Sequence, residues 1–331
     1  MANLNTKFAG LSLKNPLIIG SSSLTAKIEN LKKMEEHGAA AVVLKSIFEE
    51  EITNEFDKLL DEVDPDRNID ENLDYYDLKI KQDNISDYLK LIKDAKAALN
   101  IPVIASINCV SPHEWVYFLK VIEAAGADAI ELNVYYFPAD FKHSSVEMEK
   151  KYLDIIAKVK AEAKVPIIVK MSSYFTNLGQ MIKDVADTGV DGVTLFNRFY
   201  KPDINLDTNE LVPASVFSSE QDYLIPLQWT ALMSGKVETP LAASTGIHDG
   251  AAFVKLLLAG ANVNYVVSAL YEKGFSVIEE ILNYLENYMK KHGYETVQEM
   301  IGKLNESNIS NPKYYKRAQF MKYFSGRSDV V

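Results

Sequence analysis

The chain alternates between short, near-continuously apolar runs and longer stretches in which apolar residues recur every three or four positions. The first pattern marks strands covered on both faces, as in a parallel sheet. The second marks amphipathic helices. Eight strand-like runs stand out: PLIIGSS from Pro16, AAVVLKS to Ser46, IPVIASIN to Asn108, ADAIELNV from Ala127, VPIIVKMS from Val165, VDGVTLFN to Asn197, TPLAAST from Thr239 and VNYVVSAL from Val263. Helical runs such as AKIENLKKMEEHG, PHEWVYFLKVIEAAG and DGAAFVKLLLAG separate them. The joints HGAAAVVL, AGADAIEL, TGVDGVTL and AGANVNYV repeat one helix-to-strand unit. Eight such units predict a closed TIM (β/α)8 barrel over residues 1–331 rather than an open doubly wound sheet.

Two segments interrupt the rhythm, 47–85 after the second strand and 198–225 after the sixth. Both follow strand carboxyl ends and so belong to the catalytic face, where long loops act as lids or substrate walls. Surface decoration or an oligomer contact is the alternative. After the eighth strand, helical stretches are expected near 275–291 and 295–305. The second begins a C-terminal extension, 295–331, whose basic tail reads as a packed or subunit-contacting helix.

Composition narrows the function classes. The formal net charge is -11, which disfavours nucleic acid and anionic lipid, since both need clustered Lys and Arg. The single cysteine, Cys109, forms no internal disulfide and holds neither a cluster nor a structural zinc alone. The opening segment reads as neither a signal peptide nor an anchor, and no apolar run reaches the length of a membrane span. A reduced, cytoplasmic setting fits these features, with no membrane partner.

In such a barrel, polar residues at strand carboxyl ends are the candidates for chemistry. These are Ser21, Ser22 and Ser23, Lys45 and Ser46, Asn108 and Cys109, Asn133 with Tyr135 and Tyr136, Lys170, Ser172 and Ser173, Asn197 and Arg198, Ser244, Thr245 and Gly246, and Ser268. Lys45 and Lys170 matter most, because an ammonium group in an apolar strand needs an anion nearby. A bound anion would serve; so would solvent, or a salt bridge to Glu131. Three strand-end asparagines suit a heterocycle with alternating acceptors and donors. The small residues of AASTGIHDG and VVSAL leave backbone N–H groups available for a phosphate, although ordinary turns use them too. His113 and His248 lie near helix starts. No spacing suggests a metal site. Cys109 reads as an inert buried thiol more readily than as a nucleophile.

The constellation resembles the dihydroorotate dehydrogenase family, in its soluble class. The likeness is carried by LNTKFAGLSLKNPLIIGSS, VVLKSI, ELNV, VPIIVKMS, the STGI turn and GANVNYVVSALYEKG. It implies an FMN-dependent oxidoreductase acting on dihydroorotate or a related dihydropyrimidine. It places Ser21, Ser22, Lys45, Asn108, Asn133 and Lys170 about the flavin, and Thr245, Gly246, Val267 and Ser268 about its phosphate. Lys45, Asn133, Asn197 and Arg198 would meet the substrate. The family's strand-four motif, of the form N-L-S-C-P-N with Cys or Ser as base, is NVYYFPAD here. Tyr135 and Tyr136 therefore stand as catalytic candidates beside Lys45, with Tyr136 the candidate base. A soluble electron acceptor or a separate redox subunit is implied, and a homodimer. Two other readings stay open: a flavin-binding relative without dihydroorotate turnover, and a Schiff-base lyase or aldolase using Lys170.

Overall fold

Each apolar run folds as a strand because both its faces find cover, helices outside and neighbouring strands inside. A computed structural model describes residues 2–48, 73–108, 112–134, 139, 141–199 and 201–316. In chain order, β1 (Thr6–Phe8) and β2 (Leu11–Leu13) form an antiparallel hairpin. Then come β3 (Leu17–Ile19), β4 (Ala41–Val43), the short β5 (Ile47–Phe48), β6 (Val103–Asn108), β7 (Ala129–Leu132), β8 (Ile167–Met171) and β9 (Gly192–Leu195). A second hairpin, β10 (Pro202–Asn205) with β11 (Glu210–Pro213), precedes β12 (Leu241–Ser244) and β13 (Val263–Val266).

Eight of these strands pair in parallel around a ring, β4-β3-β13-β12-β9-β8-β7-β6, and β6 pairs with β4 to close it. This is the TIM barrel that the eight runs predict. β5 extends the sheet by pairing with the end of β6, Ile47 opposite Ile107. The helices between strands bury their apolar faces on the outside of the barrel, in one continuous core. The helix Ser145–Glu162 starts on a capping box: Ser144 N–H donates to Glu147 Oε2 at 2.7 Å, and Glu147 N–H donates to Ser144 Oγ at 3.3 Å. The helix Val277–His292 carries Glu279 and Glu280 in its first turn and Lys290 and Lys291 in its last, matching the helix dipole.

Inside the barrel, side chains alternate in and out along each strand. The lower interior is apolar: Ile18, Ala41, Val43, Ile104, Ala129 and Ile168 pack there with Ala242 and Val263. The β1–β2 hairpin closes this end with the fully buried ring of Phe8, and an added Cβ at Gly192 would lie 2.8 Å from it. Replacing Phe8 with Leu is expected to cost about 1–2 kcal/mol, through lost packing and a residual void. Urea denaturation checks this, and an unchanged midpoint would mean that Phe8 does not seal the barrel floor. Two residues further along the strands the inward positions turn polar: Ser106, Glu131, Lys170, Thr194 and Ser244, with Tyr265, all buried. The sequence thus builds an apolar floor under a polar layer.

The segments outside the repeat take partly unexpected forms. Residues 73–85 of the first interruption belong to a long helix, Leu73–Ala98, rather than to a loop. The remainder of that segment beyond Phe48 lies outside the described residues. The second interruption holds the β10–β11 hairpin. Near 295–305 the chain makes one 3-10 turn, Val297–Glu299, followed by turns, where a helix was expected. Gly302 sits there at φ 74°, a left-handed conformation that ends helices. The basic tail beyond Lys316 lies outside the described residues.

Candidate active site

The polar layer opens upward into a cavity of about 400 Å3 at the carboxyl ends of the strands. That size is ordinary for a small-ligand site. Ser21, Ser22 and Ser23 after β3 form one side. Lys170 and Tyr265 form the floor. Asn197 and Arg198 follow β9, Ser244, Thr245 and Gly246 follow β12, and Val267 and Ser268 follow β13. Eleven of the expected site residues therefore meet in one place: Ser21, Ser22, Ser23, Lys170, Asn197, Arg198, Ser244, Thr245, Gly246, Val267 and Ser268. A roomier cavity of about 580 Å3 at the amino end is lined by Asn5, Thr6, Lys7 and Lys14 among others. It lies on the face that barrels use for stability rather than chemistry.

Lys170 is the centre of the site. Its side chain is nearly buried, and Nζ lies 3.7 Å from Glu131 Oε1 and 5.8 Å from the centre of the Tyr265 ring. At that distance the Glu131 contact is an ion pair without a hydrogen bond. The sequence left a bound anion and a Glu131 salt bridge as alternatives, and Lys170 is placed for both. Glu131 is fully buried, and among the described residues neither of its oxygens has a hydrogen-bond partner. Burial pushes its carboxyl above the usual range, and Lys170 pulls the other way without offsetting it. Tyr265 is buried, which holds its phenol far above the ordinary value, and the Glu131 charge adds to this. Its hydroxyl faces Glu131 and Thr194 but meets hydrogen-bond geometry with neither.

A carboxyl whose value is raised on folding adds stability at low pH and loses it as pH climbs through the raised value. Wild-type protein is therefore expected to lose stability relative to Glu131→Gln as pH rises above the ordinary value of 4.5. Melting both proteins from about pH 4 to about pH 8 checks this. Parallel curves would mean that Glu131 is as easily ionised folded as unfolded.

Asn133 reaches the site through a chain of hydroxyls. Its Nδ2 donates to Ser106 Oγ at 2.8 Å, Ser106 Oγ is 2.7 Å from Ser46 Oγ, and Ser46 Oγ is 3.1 Å from Ser21 Oγ. The helix Leu73–Ala98 pins the middle of this chain: Ser106 N–H donates to Tyr88 Oη at 2.8 Å, and the Tyr88 hydroxyl donates to Ser106 O at 3.0 Å. Asn133 is buried beneath the cavity wall and Asn108 is half-buried at the end of β6.

The other two cations stand differently from Lys170. Lys45 is exposed, between β4 and β5, both of which pair with β6. Arg198 lines the cavity, but its guanidinium is engaged by the chain itself. Nη1 donates to Val216 O at 2.6 Å, and Nη2 donates to Ser215 O at 2.6 Å and Phe217 O at 2.9 Å. Meeting a substrate carboxylate would compete with these three bonds. Tyr135, Tyr136 and Cys109 lie outside the described residues.

The sequence reading missed Tyr265 and Ser218, which line the cavity, and Glu272, which holds His248 from behind. A tyrosine in an apolar run reads as core, and no spacing links Ser218 to Glu272.

The family model for dihydroorotate dehydrogenase matches residues 3–289. The chain belongs to that family. Among its relatives, the catalytic subunit of dihydroorotate dehydrogenase B (NAD(+)) from Thermoplasma volcanium is 26% identical over 314 residues, 91% of this chain and 98% of that protein. The corresponding subunit from Pyrococcus abyssi is 27% identical over 305 residues, 90% of this chain and 98% of that protein. The NAD-dependent dihydropyrimidine dehydrogenase subunit PreA of Escherichia coli strain K12 is 24% identical over 329 residues, 93% of this chain and 78% of that protein. As a member of the dihydroorotate dehydrogenase family, the chain is an oxidoreductase. Among the described residues, no helix is long and apolar enough to cross a membrane, and no group of three His, Cys, Asp or Glu side chains could hold a metal ion.

Proposed function

We propose that the protein is an FMN-dependent dehydrogenase that oxidises a CH–CH bond in dihydroorotate or a related dihydropyrimidine. The observation that carries this reading is the nearly buried Lys170 ammonium at the floor of the strand-end cavity, beside a carboxyl that burial drives toward its neutral form. Such a cation favours a ligand that carries or develops negative charge. The residues present fit FMN. Among the described residues, the buried Ser22 Oγ at the cavity wall has no hydrogen-bond partner. Thr245, Gly246, Val267 and Ser268 follow the seventh and eighth barrel strands, where barrels commonly take a phosphate.

In this reading Ser21, Ser22, Lys45, Asn108, Asn133 and Lys170 hold the flavin, and Thr245, Gly246, Val267 and Ser268 hold its phosphate. When bound, FMN supplies the hydride acceptor. Lys170 offsets negative charge at the cavity floor. Asn133 and Asn197 orient the substrate by donating and accepting hydrogen bonds. Lys45 and Arg198 would meet a substrate carboxylate, Arg198 by releasing its carbonyls. Tyr136, with Tyr135 beside it, takes the substrate proton. An unperturbed phenol has a pKa of about 10, so this role needs a nearby positive charge. The relatives named as subunits support a separate redox subunit as electron acceptor. A homodimer in the cytoplasm completes the proposal.

The test is spectroscopic. Purified protein is expected to be yellow, and anaerobic dihydroorotate or a dihydropyrimidine to bleach it. A yellow protein that none of them bleaches would favour a flavin-binding relative without this turnover. A colourless protein that borohydride traps with a carbonyl compound would favour Schiff-base chemistry at Lys170. Family membership speaks for the oxidoreductase.

A further inference from the structure

The loop after β11 returns to the cavity and is fastened at several points. Arg198 holds its carbonyls, and the Phe217 ring stacks on Tyr271 with centroids 5.1 Å apart. Next comes Ser218, which is buried and lines the cavity. Its Oγ lies 2.9 Å from His248 Nε2 and 3.0 Å from Ser268 Oγ, and its N–H donates to that same Ser268 oxygen at 3.1 Å. His248 is buried in the turn after β12, and its Nδ1 lies 3.0 Å from Glu272 Oε2. Lys273 Nζ donates to His248 O at 2.9 Å, fixing the backbone of that turn.

Three separate segments thus converge on one hydroxyl pair. An ionised carboxylate only accepts, so the Glu272 contact puts a proton on His248 Nδ1 and leaves Nε2 to Ser218. Ser268 Oγ already accepts from the Ser218 N–H, so its own proton is directed elsewhere, and Ser268 lines the cavity. The order carboxylate, imidazole, hydroxyl is the one that activates serine in hydrolases. Here the serine is also held by a second serine, so the arrangement orients a hydroxyl pair.

We propose that Glu272, His248 and Ser218 form a positioning relay, in which the Ser218 hydroxyl is turned to His248 and the Ser218 N–H holds Ser268 Oγ, so that Ser268 is set as hydroxyl donor to an oxyanion at this end of the cavity. The relay makes the site prefer a phosphate-terminated ligand over its unphosphorylated counterpart. This rests on the reading of the cavity as an FMN site.

Protein freed of bound flavin is titrated with FMN and, separately, with riboflavin, following flavin fluorescence. Wild type is expected to bind FMN more tightly. His248→Ala is expected to weaken FMN by about tenfold or more, the scale of a lost hydrogen bond to a charged group, with riboflavin changed less than about twofold. Ser218→Ala, on the loop, should show the same selective loss, and Glu272→Gln a smaller one. Equal loss for both ligands, or an unchanged ratio in His248→Ala and Ser218→Ala alike, overturns the relay. Wild type that binds both ligands equally also overturns it while leaving the flavin reading intact. Wild type that binds neither overturns both.

Discussion

Replacing Lys170 with Met is expected to lower turnover by about 10²–10³-fold, the scale seen when one preorganised electrostatic donor is removed from an active site. Methionine keeps the unbranched shape and fills the floor of the cavity, so the loss is one of charge. Cutting one member of a buried ion pair ordinarily costs about 3–5 kcal/mol of stability, because the partner charge is stranded. Here the cost should be smaller. Glu131 already leans toward its neutral form, so it can take up a proton when Lys170 is gone. The double variant with Glu131→Gln separates the two effects: it should recover stability without recovering turnover. Anaerobic rates with whichever dihydropyrimidine bleaches the protein, and urea midpoints, provide the measurements. Turnover reduced less than about tenfold, with flavin retained, would remove Lys170 from the chemistry.

Gly246→Val is expected to destabilise the protein by about 4 kcal/mol or more, enough to remove most of a typical stability margin. Gly246 has φ 76°, where a β-branched residue is strained. A Cβ there would also lie 2.1 Å from Tyr223 N and 2.6 Å from Asp222 C, both backbone atoms that cannot rotate aside. Gly274 separates the two causes. It has φ 77°, yet nothing lies within 4 Å of an added Cβ. Gly274→Ala should therefore cost only the backbone term, about 1–3 kcal/mol for a side chain at φ 77° and ψ -176°. Urea denaturation of both variants checks the pair. Similar midpoints would mean that the Asp222–Tyr223 backbone yields and the close approach at Gly246 carries no energy.

The barrel was legible because its signal is local. Near-continuous apolar runs, each followed by a helical period, need no long-range information. Strand-end polarity was legible for the same reason: the shift from Ile168 to Lys170, or from Ala242 to Ser244, is two letters long. The helix Leu73–Ala98 was only half visible. Its buried positions Ile85, Tyr88, Ile92 and Ala95 keep helical spacing, but the acidic stretch before them reads as solvated loop. For Lys45 the sequence left a bound anion and solvent both open, because an apolar run does not say that β4 ends at Val43. Arg198 read as a free cation because its partners, three carbonyls some 17 to 19 residues on, carry no side-chain signature. The approach of Ser218, His248 and Glu272 depends on how three loops fold over one mouth, which pairwise spacing cannot encode.

The plug at Phe8 has a kinetic consequence. A barrel sealed at its floor is a blind vessel. Any small molecule that must reach the polar layer has to use the strand-end opening, because Phe8 and the apolar layer above it close the other end. A product must then depart before the next substrate can enter, whereas a partner subunit that only collects electrons never has to join that queue.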